Sequence, residues 1–178
     1  MEKEFTISVF TENYIGLLSR VVQPFVRRHV NIDSLTTSES SIKGIFRFTI
    51  VVTVEEDIVK KLVGQLDKQI DVVKAFYFSD DELIYNELAL YKVPTNIFSG
   101  SIIVEGVIRK HYARILTIES EFIVIEKTGR KEETQALLKE LRSHGILQFV
   151  RSGRVAVSKP MNKLDNYLKD LEDLAVQE

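Results

Sequence analysis

Cysteine and tryptophan are absent from this chain, and proline occurs only three times. Neither sign of charge dominates: 24 Lys and Arg oppose 26 Asp and Glu, a net charge of −2 over 178 residues. Without cysteine there is no disulfide framework, no thiolate nucleophile and no Cys-ligated zinc or iron–sulfur cluster. A pI near 6.0 lacks the basic excess of a dedicated nucleic-acid binder. No apolar run approaches the roughly 18 residues of a membrane span. The opening MEKEFTISVF has neither the basic segment nor the apolar run of a signal peptide. The expected location is the cytoplasm, with neither nucleic acid nor membrane as a partner. What is present is an ordinary soluble composition, 44% hydrophobic, long enough to bury a core in one domain or two small ones.

Hydrophobic periodicity divides the chain into alternating elements. Phe5, Ile7 and Val9 alternate as one face of a strand over 5–10. After the loop TENYIG the period changes. Leu17, Leu18, Val21, Val22, Phe25 and Val26 form the broad stripe of a core-facing helix that contains Pro24. Residues 31–39 read as a weak polar edge strand and 45–54 (IFRFTIVVTV) as a strong strand. Glu55, Glu56 and Asp57 open a second helix, with acids where the positive end of the dipole favours them. Residues 70–78 close the set as a strand. The order is βαββαβ, the ferredoxin-like arrangement.

The acidic stretch 79–86 (SDDELIYN) reads as a linker, after which the pattern restarts. A strand over 87–93 precedes a helix over 96–111, and 112–118 with 121–127 reads as a hairpin. Thr128-Gly129 makes a turn, 131–144 a helix, and 146–157 a strand broken at Ser152-Gly153. The expected class is α+β, with two ferredoxin-like βαββαβ domains, each an antiparallel sheet covered by two helices. The expected divisions are 1–78, the linker 79–86, a second domain over 87–158 and a helical tail over 159–178. In the tail Leu164, Leu168, Leu171 and Ala175 recur at helical spacing among two Lys and five acids. It reads as a terminal cap or as an arm reaching a partner.

No residue pattern demands catalysis. His29, His111 and His144 fall near helix C-termini, where the dipole favours a cation, and not at metal-ligand spacing. Neither GxSxG, a P-loop nor HExxH occurs. Gly129-Arg130-Lys131 is a turn with a solvated helix start, or else a phosphate contact. Arg151-Ser152-Gly153-Arg154 is a basic turn, or else a contact to a partner protein. Glu55-Glu56 and Asp80-Asp81 are accounted for by a helix start and a linker.

The first strand-to-helix junction carries the most chemical information. Asn13, Tyr14, Ile15 and Gly16 precede an apolar helix whose first amides lack intrahelical acceptors. A missing Cβ at Gly16 lets a ligand approach those donors, which suit a small carboxylate. Asn13 offers a donor and an acceptor beside them, and Asn31 begins the next strand. The same residues are equally a turn glycine, a helix cap and a second turn.

Residues 7–38 contain Glu12, Asn13, Gly16, Leu18 and Arg20 as E-N-x-x-G-x-L-x-R, then Asn31, Ile32, Ser34 and Leu35 as N-I-x-S-L. This pair resembles the amino-terminal ACT domain of the small regulatory subunit of acetolactate synthase (acetohydroxyacid synthase). The likeness continues through DVVKAF (71–76), ELALYKV (87–93) and the turn Arg151-Ser152-Gly153, and covers residues 5 to about 158. The resemblance implies a non-catalytic subunit without a cofactor of its own. It would bind and activate a large catalytic subunit carrying thiamine diphosphate, Mg²⁺ and FAD, and would confer feedback inhibition by valine in branched-chain amino-acid synthesis. It implies a homodimer through the ACT domains, with valine between two chains. The matching positions for its polar contacts are Asn13, Gly16 and Asn31, with backbone N–H groups of Gly16, Leu17 and Leu18 for the carboxylate and Ile15 and Ile32 for the apolar wall. Ile15 stands where a small residue or Pro is frequent in the family, which leaves the choice among valine, leucine and isoleucine open, since one methylene is worth only about 1–3 kcal/mol. The alternative is a free-standing ACT-type sensor acting on another enzyme or a transcription regulator.

Overall fold

The computed structural model describes residues 1–98 and 102–159. Alternating Phe5, Ile7 and Val9 lie in strand β1 (Lys3–Glu12), which leads into helix α1 (Leu17–Arg27). Strands β2 (Ser34–Glu39) and β3 (Ile45–Val54), helix α2 (Glu56–Leu66) and strand β4 (Val72–Ser79) follow. The sheet order is β2-β3-β1-β4, with every neighbouring pair antiparallel. Both helices lay their apolar stripes on one face. Leu17, Val21 and Phe25 of α1 and Val59, Leu62 and Leu66 of α2 are buried in one cluster with Ile7, Val9, Ile50 and Val52 of the central strands. Full burial of each such side chain stabilises the fold by about 1.5–3 kcal/mol.

Helix α1 ends without glycine. His29 takes a left-handed φ of 54°. The His29 N–H donates to Val26 O at 3.1 Å and the Val30 N–H to Phe25 O at 3.0 Å. These two bonds make a Schellman motif, which satisfies carbonyls that the helix end leaves open.

The second half repeats the order: β5 (Leu83–Pro94), α3 (Ile102–Lys110), β6 (Arg114–Ile118), β7 (Phe122–Gly129), α4 (Lys131–Arg142), β8 (Gln148–Arg151) and β9 (Val155–Ser158). Its sheet runs β6-β7-β5-β8, and β9 also pairs with β5. Val107 and Ile108 of α3 and Leu137, Leu138 and Leu141 of α4 close over Ala89, Tyr91, Val93, Ile123 and Ile125. The molecule is thus built from two ferredoxin-like sheets, each covered by two helices. Contacts divide it into two compact units, residues 1–84 with the segment returning from Ala156, and residues 85–155.

Several boundaries differ from the sequence expectation. The stretch 79–86, expected as a linker, contains a turn and the start of a strand. Ser79 and Glu82 form a capping box around a 3-10 turn at Asp80–Glu82. Leu83 and Tyr85 then begin β5, their side chains buried in alternation with exposed Ile84 and Asn86. Thr128-Gly129 is the end of β7, not a turn, because Leu88 and Glu87 pair with them. The segment expected as a helix over 96–111 is a 3-10 turn at Thr95–Phe98 followed by α3. The tail expectation beyond Pro160 lies outside the described residues.

Candidate functional site

At the β1–α1 junction the chain turns through Tyr14 to Leu17, with the Leu17 N–H donating to Tyr14 O at 3.3 Å. Gly16 holds φ 85° and ψ −1°, a left-handed conformation that favours glycine. A Cβ placed on Gly16 would meet no atom within 4 Å. The glycine is therefore required by backbone conformation, and the space over it is open. No side chain caps α1, so Asn13 is not the helix cap that its position allowed. The first-turn amides of α1 thus have no side-chain cap, and uncapped amides at a helix start are a donor set suited to an anion.

Around this open helix end the side chains are apolar and exposed. Ile15 is 106% exposed, Tyr14 58% and Leu18 49%. The Leu17 side chain is buried in the core, so only its backbone faces the junction. Glu12 hydrogen-bonds the Tyr14 hydroxyl and raises its pKa by holding the proton there.

Asn31 and Ile32 are not at this corner. Ser34, at the start of β2, pairs with Val51, which pairs with Thr6 of β1. The end of β2 is the part near the junction: Glu39 pairs with Phe46, which pairs with Thr11. The start of β2 therefore sits level with Thr6, about 20 Å along the strand from Glu12 at some 3.3 Å per residue. Asn13, Ile15, Gly16, Leu17 and Leu18 form one cluster. Asn31 is exposed at the opposite end, and Ile32 packs half-buried against the core.

The two flanks of α1 differ. On one, Arg20 is ion-paired with Asp71, Gln69 donates to Arg20 O at 3.2 Å, and Arg28 donates to Gln65 at 3.0 Å. These contacts tie that flank to α2 and the α2–β4 connection, and an open groove of about 560 Å³ lies there, lined in part by Arg20, Arg27 and Lys68. Sequence spacing did not reveal this groove, because its residues come from two helices distant in the chain. At 100° per residue, Leu18, Val22 and Val26 fall on the other flank, towards β2. Leu18 and Val26 are exposed, and β2 is an edge strand with no neighbour on its outer side among the described residues.

The basic motifs of the second unit are used internally. The N–H of Arg130 donates to Glu133 Oε2 at 2.7 Å, so a carboxylate of the chain already occupies the α4 start. Arg151 pairs with Glu87 at 3.1 Å, and the Arg154 guanidinium lies 3.6 Å from the Tyr85 ring centre. His111 contacts Glu140 at 2.7 Å, while His29 is exposed. Among the described residues no group of three His, Cys, Asp or Glu could hold a metal ion, and no helix is long and apolar enough to cross a membrane.

Residues 7–74 match the family described as the AHAS small subunit-like ACT domain, and residues 86–160 match the small subunit of acetolactate synthase. The chain is 37% identical over 154 residues to the acetolactate synthase small subunit of Mycolicibacterium smegmatis, covering 86% of this chain and 90% of that protein. It is 34% identical over 160 residues to that of Bacillus subtilis, covering 89% and 91%. The crystal structure of the acetolactate synthase small subunit from Thermotoga maritima superposes with a TM-score of 0.81 at 25% identity, over 90% of this chain and 99% of that one.

Proposed function

The chain belongs to the family of acetolactate synthase small subunits, and from that premise we propose that it is a regulatory subunit whose effector is a branched-chain amino acid, valine first, held between the ACT domains of two copies. The junction of one copy supplies Asn13, Gly16 and the amides of Leu17 and Leu18. The partner copy supplies the start of β2, with Asn31 and Ile32.

The observation that carries this reading is the separation of the two motifs within one chain. Two β2 edges joined antiparallel about a twofold axis bring the start of one β2 beside the end of the other. The end of β2 lies next to the junction. Pairing of the edges therefore reunites across two chains what a single chain keeps apart. The Leu18, Val22 and Val26 flank lies on the same side and would be covered in that pairing, removing apolar surface from water.

In this arrangement the effector carboxylate meets the uncapped amides after Gly16, where donors and helix dipole converge. Its ammonium group meets the oxygen of Asn13 or Asn31, and its branched side chain lies against Ile15 and Ile32. The chain acts on its partner by differential affinity: a ligand shifts a two-state assembly only by binding one state more tightly. A coupling of about 1–3 kcal/mol gives a several-fold change in the partner's activity. The partner is the large catalytic subunit, which carries thiamine diphosphate, Mg²⁺ and FAD. This chain raises its activity and makes it sensitive to the effector.

Calorimetric titration of the isolated chain with valine tests the binding step. Heat of binding is expected for the native chain and not for Gly16→Asp, whose carboxylate would stand where the effector's does. The enzyme reconstituted with Gly16→Asp is expected to be active and insensitive to valine. Full inhibition of that complex would contradict the assigned site.

A further inference from the structure

Pro24 sits inside α1, where the missing N–H removes a hydrogen bond from the helix. The bond removed is the one to the carbonyl of Arg20, four positions earlier. That carbonyl is not left open. The Gln69 side chain, from the connection after α2, donates to it at 3.2 Å. The Arg20 guanidinium pairs with Asp71 of the same connection, and Arg28 donates to Gln65. Three links thus hold this flank of α1 to the end of α2, and the open groove of about 560 Å³ lies along them. The proline that breaks the helix ladder is part of its lining.

The charge of the groove runs against that of the chain. Arg20, Arg27 and Lys68 line it against Asp71, three cations less one anion or +2, in a chain of net charge −2. Asp71 is engaged by Arg20. Arg27 and Lys68 are exposed and make no ion pair among the described residues.

This lining does not fit a small anion. A small-ligand pocket encloses most of its ligand within converging polar groups. Here the two unengaged cations stand in water, one on α1 and one after α2, beside the amides of Gln23 and Gln65. Ile70 of the same lining is 101% exposed. Cations, amides and an aliphatic side chain spread along an open groove fit a stretch of polypeptide, with carboxylates for Arg27 and Lys68 and an apolar residue for Ile70. The groove is also on the flank of α1 opposite Leu18, Val22 and Val26, so two copies paired through β2 each leave theirs open.

We propose that the α1–α2 groove is the docking site for an acidic segment of another polypeptide. The inference rests on the reading of the chain as a regulatory subunit, in which that polypeptide is the large catalytic subunit, and it assigns the face by which the two meet.

The test follows association of the full chain with the purified large subunit by biolayer interferometry over a salt series. Arg27→Glu with Lys68→Glu reverses both unengaged cations. Lys131→Glu with Lys139→Glu makes the same change of net charge at exposed positions of α4. The groove variant is expected to associate about tenfold more slowly than the native chain at low salt, and the gap is expected to narrow as salt screens the charges. The α4 variant is expected to keep the native rate. Arg27 also favours the dipole in the last turn of α1, so melting temperatures are read alongside. Arg27→Gln with Lys68→Gln removes the charges without adding acids at helix ends, and is expected to slow association in the same direction with the native melting temperature. Native association by both groove variants, or an equal fall in the groove and α4 variants, would overturn the inference and leave the regulatory reading standing. A native chain that neither binds nor activates the large subunit would overturn both.

Discussion

Gly16 is the residue on which the proposed site turns, and its role separates into two parts. A left-handed φ of 85° costs an ordinary L-residue about 1 kcal/mol, whereas the space over it is empty. Gly16→Ala is expected to lower unfolding free energy by about that much in urea titration, while keeping measurable valine binding. Gly16→Asp is expected to lose binding altogether, and the contrast isolates charge from strain. Tyr112 presents the converse case. It occupies a left-handed position, φ 51°, at the end of α3, with its side chain 92% exposed. Tyr112→Gly is expected to raise stability by about 1 kcal/mol, again by urea titration. The sequence placed His29 near the end of the first helix, but nothing in it marked the left-handed turns at His29 and Tyr112, because backbone bonds alone close them. Gly16 was legible because its motif placed a glycine before an apolar helix. A third residue-scale effect depends on pH. The Glu140 carboxyl is held below its ordinary value of 4.5, first by its hydrogen bond with His111 and then by Lys110. A carboxyl pKa lowered in the folded state contributes stability above the unfolded value and loses it as pH falls through the folded one. The melting temperature of Glu140→Gln is therefore expected to lie below that of the native chain at neutral pH. The gap is expected to narrow as pH falls from 4.5 through the lower folded-state value, below which both side chains are neutral.

At the level of elements, α1 is a helix with three tasks. Leu17, Val21 and Phe25 face the core, Arg20 and Arg28 hold α2 and its following connection, and Leu18, Val22 and Val26 lie on the flank that the proposed pairing would cover. The sequence displayed this as one broad apolar stripe. Periodicity alone did not divide the stripe, because its buried and exposed apolar positions are chemically alike. The position of α2 divides it. Val26→Lys puts a charge on the outer flank, where the native side chain is already exposed. It is expected to leave the melting temperature of the fold nearly unchanged and to shift the dimer towards monomer in sedimentation, since an unpaired buried charge opposes association. The short acidic stretch 79–86, expected as a linker, conceals ordered structure for a related reason. Its charges conceal that Leu83 and Tyr85 alternate with Ile84 and Asn86, and Ser79 and Glu82 tie the turn before them.

For the whole molecule, the repeated βαββαβ order was legible because each sheet needs two amphipathic helices and each helix showed its period. The separation of the two motifs was not, since it depends on register. Asn13 and Asn31 are 18 positions apart in sequence, yet they lie at opposite ends of one sheet because β1 and β2 run parallel with β3 between them. The proposal that two chains share the effector site is most directly tested by mixing chains. Gly16→Asp damages the junction half and Asn31→Ala the strand half. In a mixed dimer of the two variants, one of the two shared sites carries both lesions and the other carries none. The account predicts one bound valine per mixed dimer in calorimetric titration, with neither parent dimer binding. No binding by the mixed dimer would contradict it and return both halves of the site to a single chain.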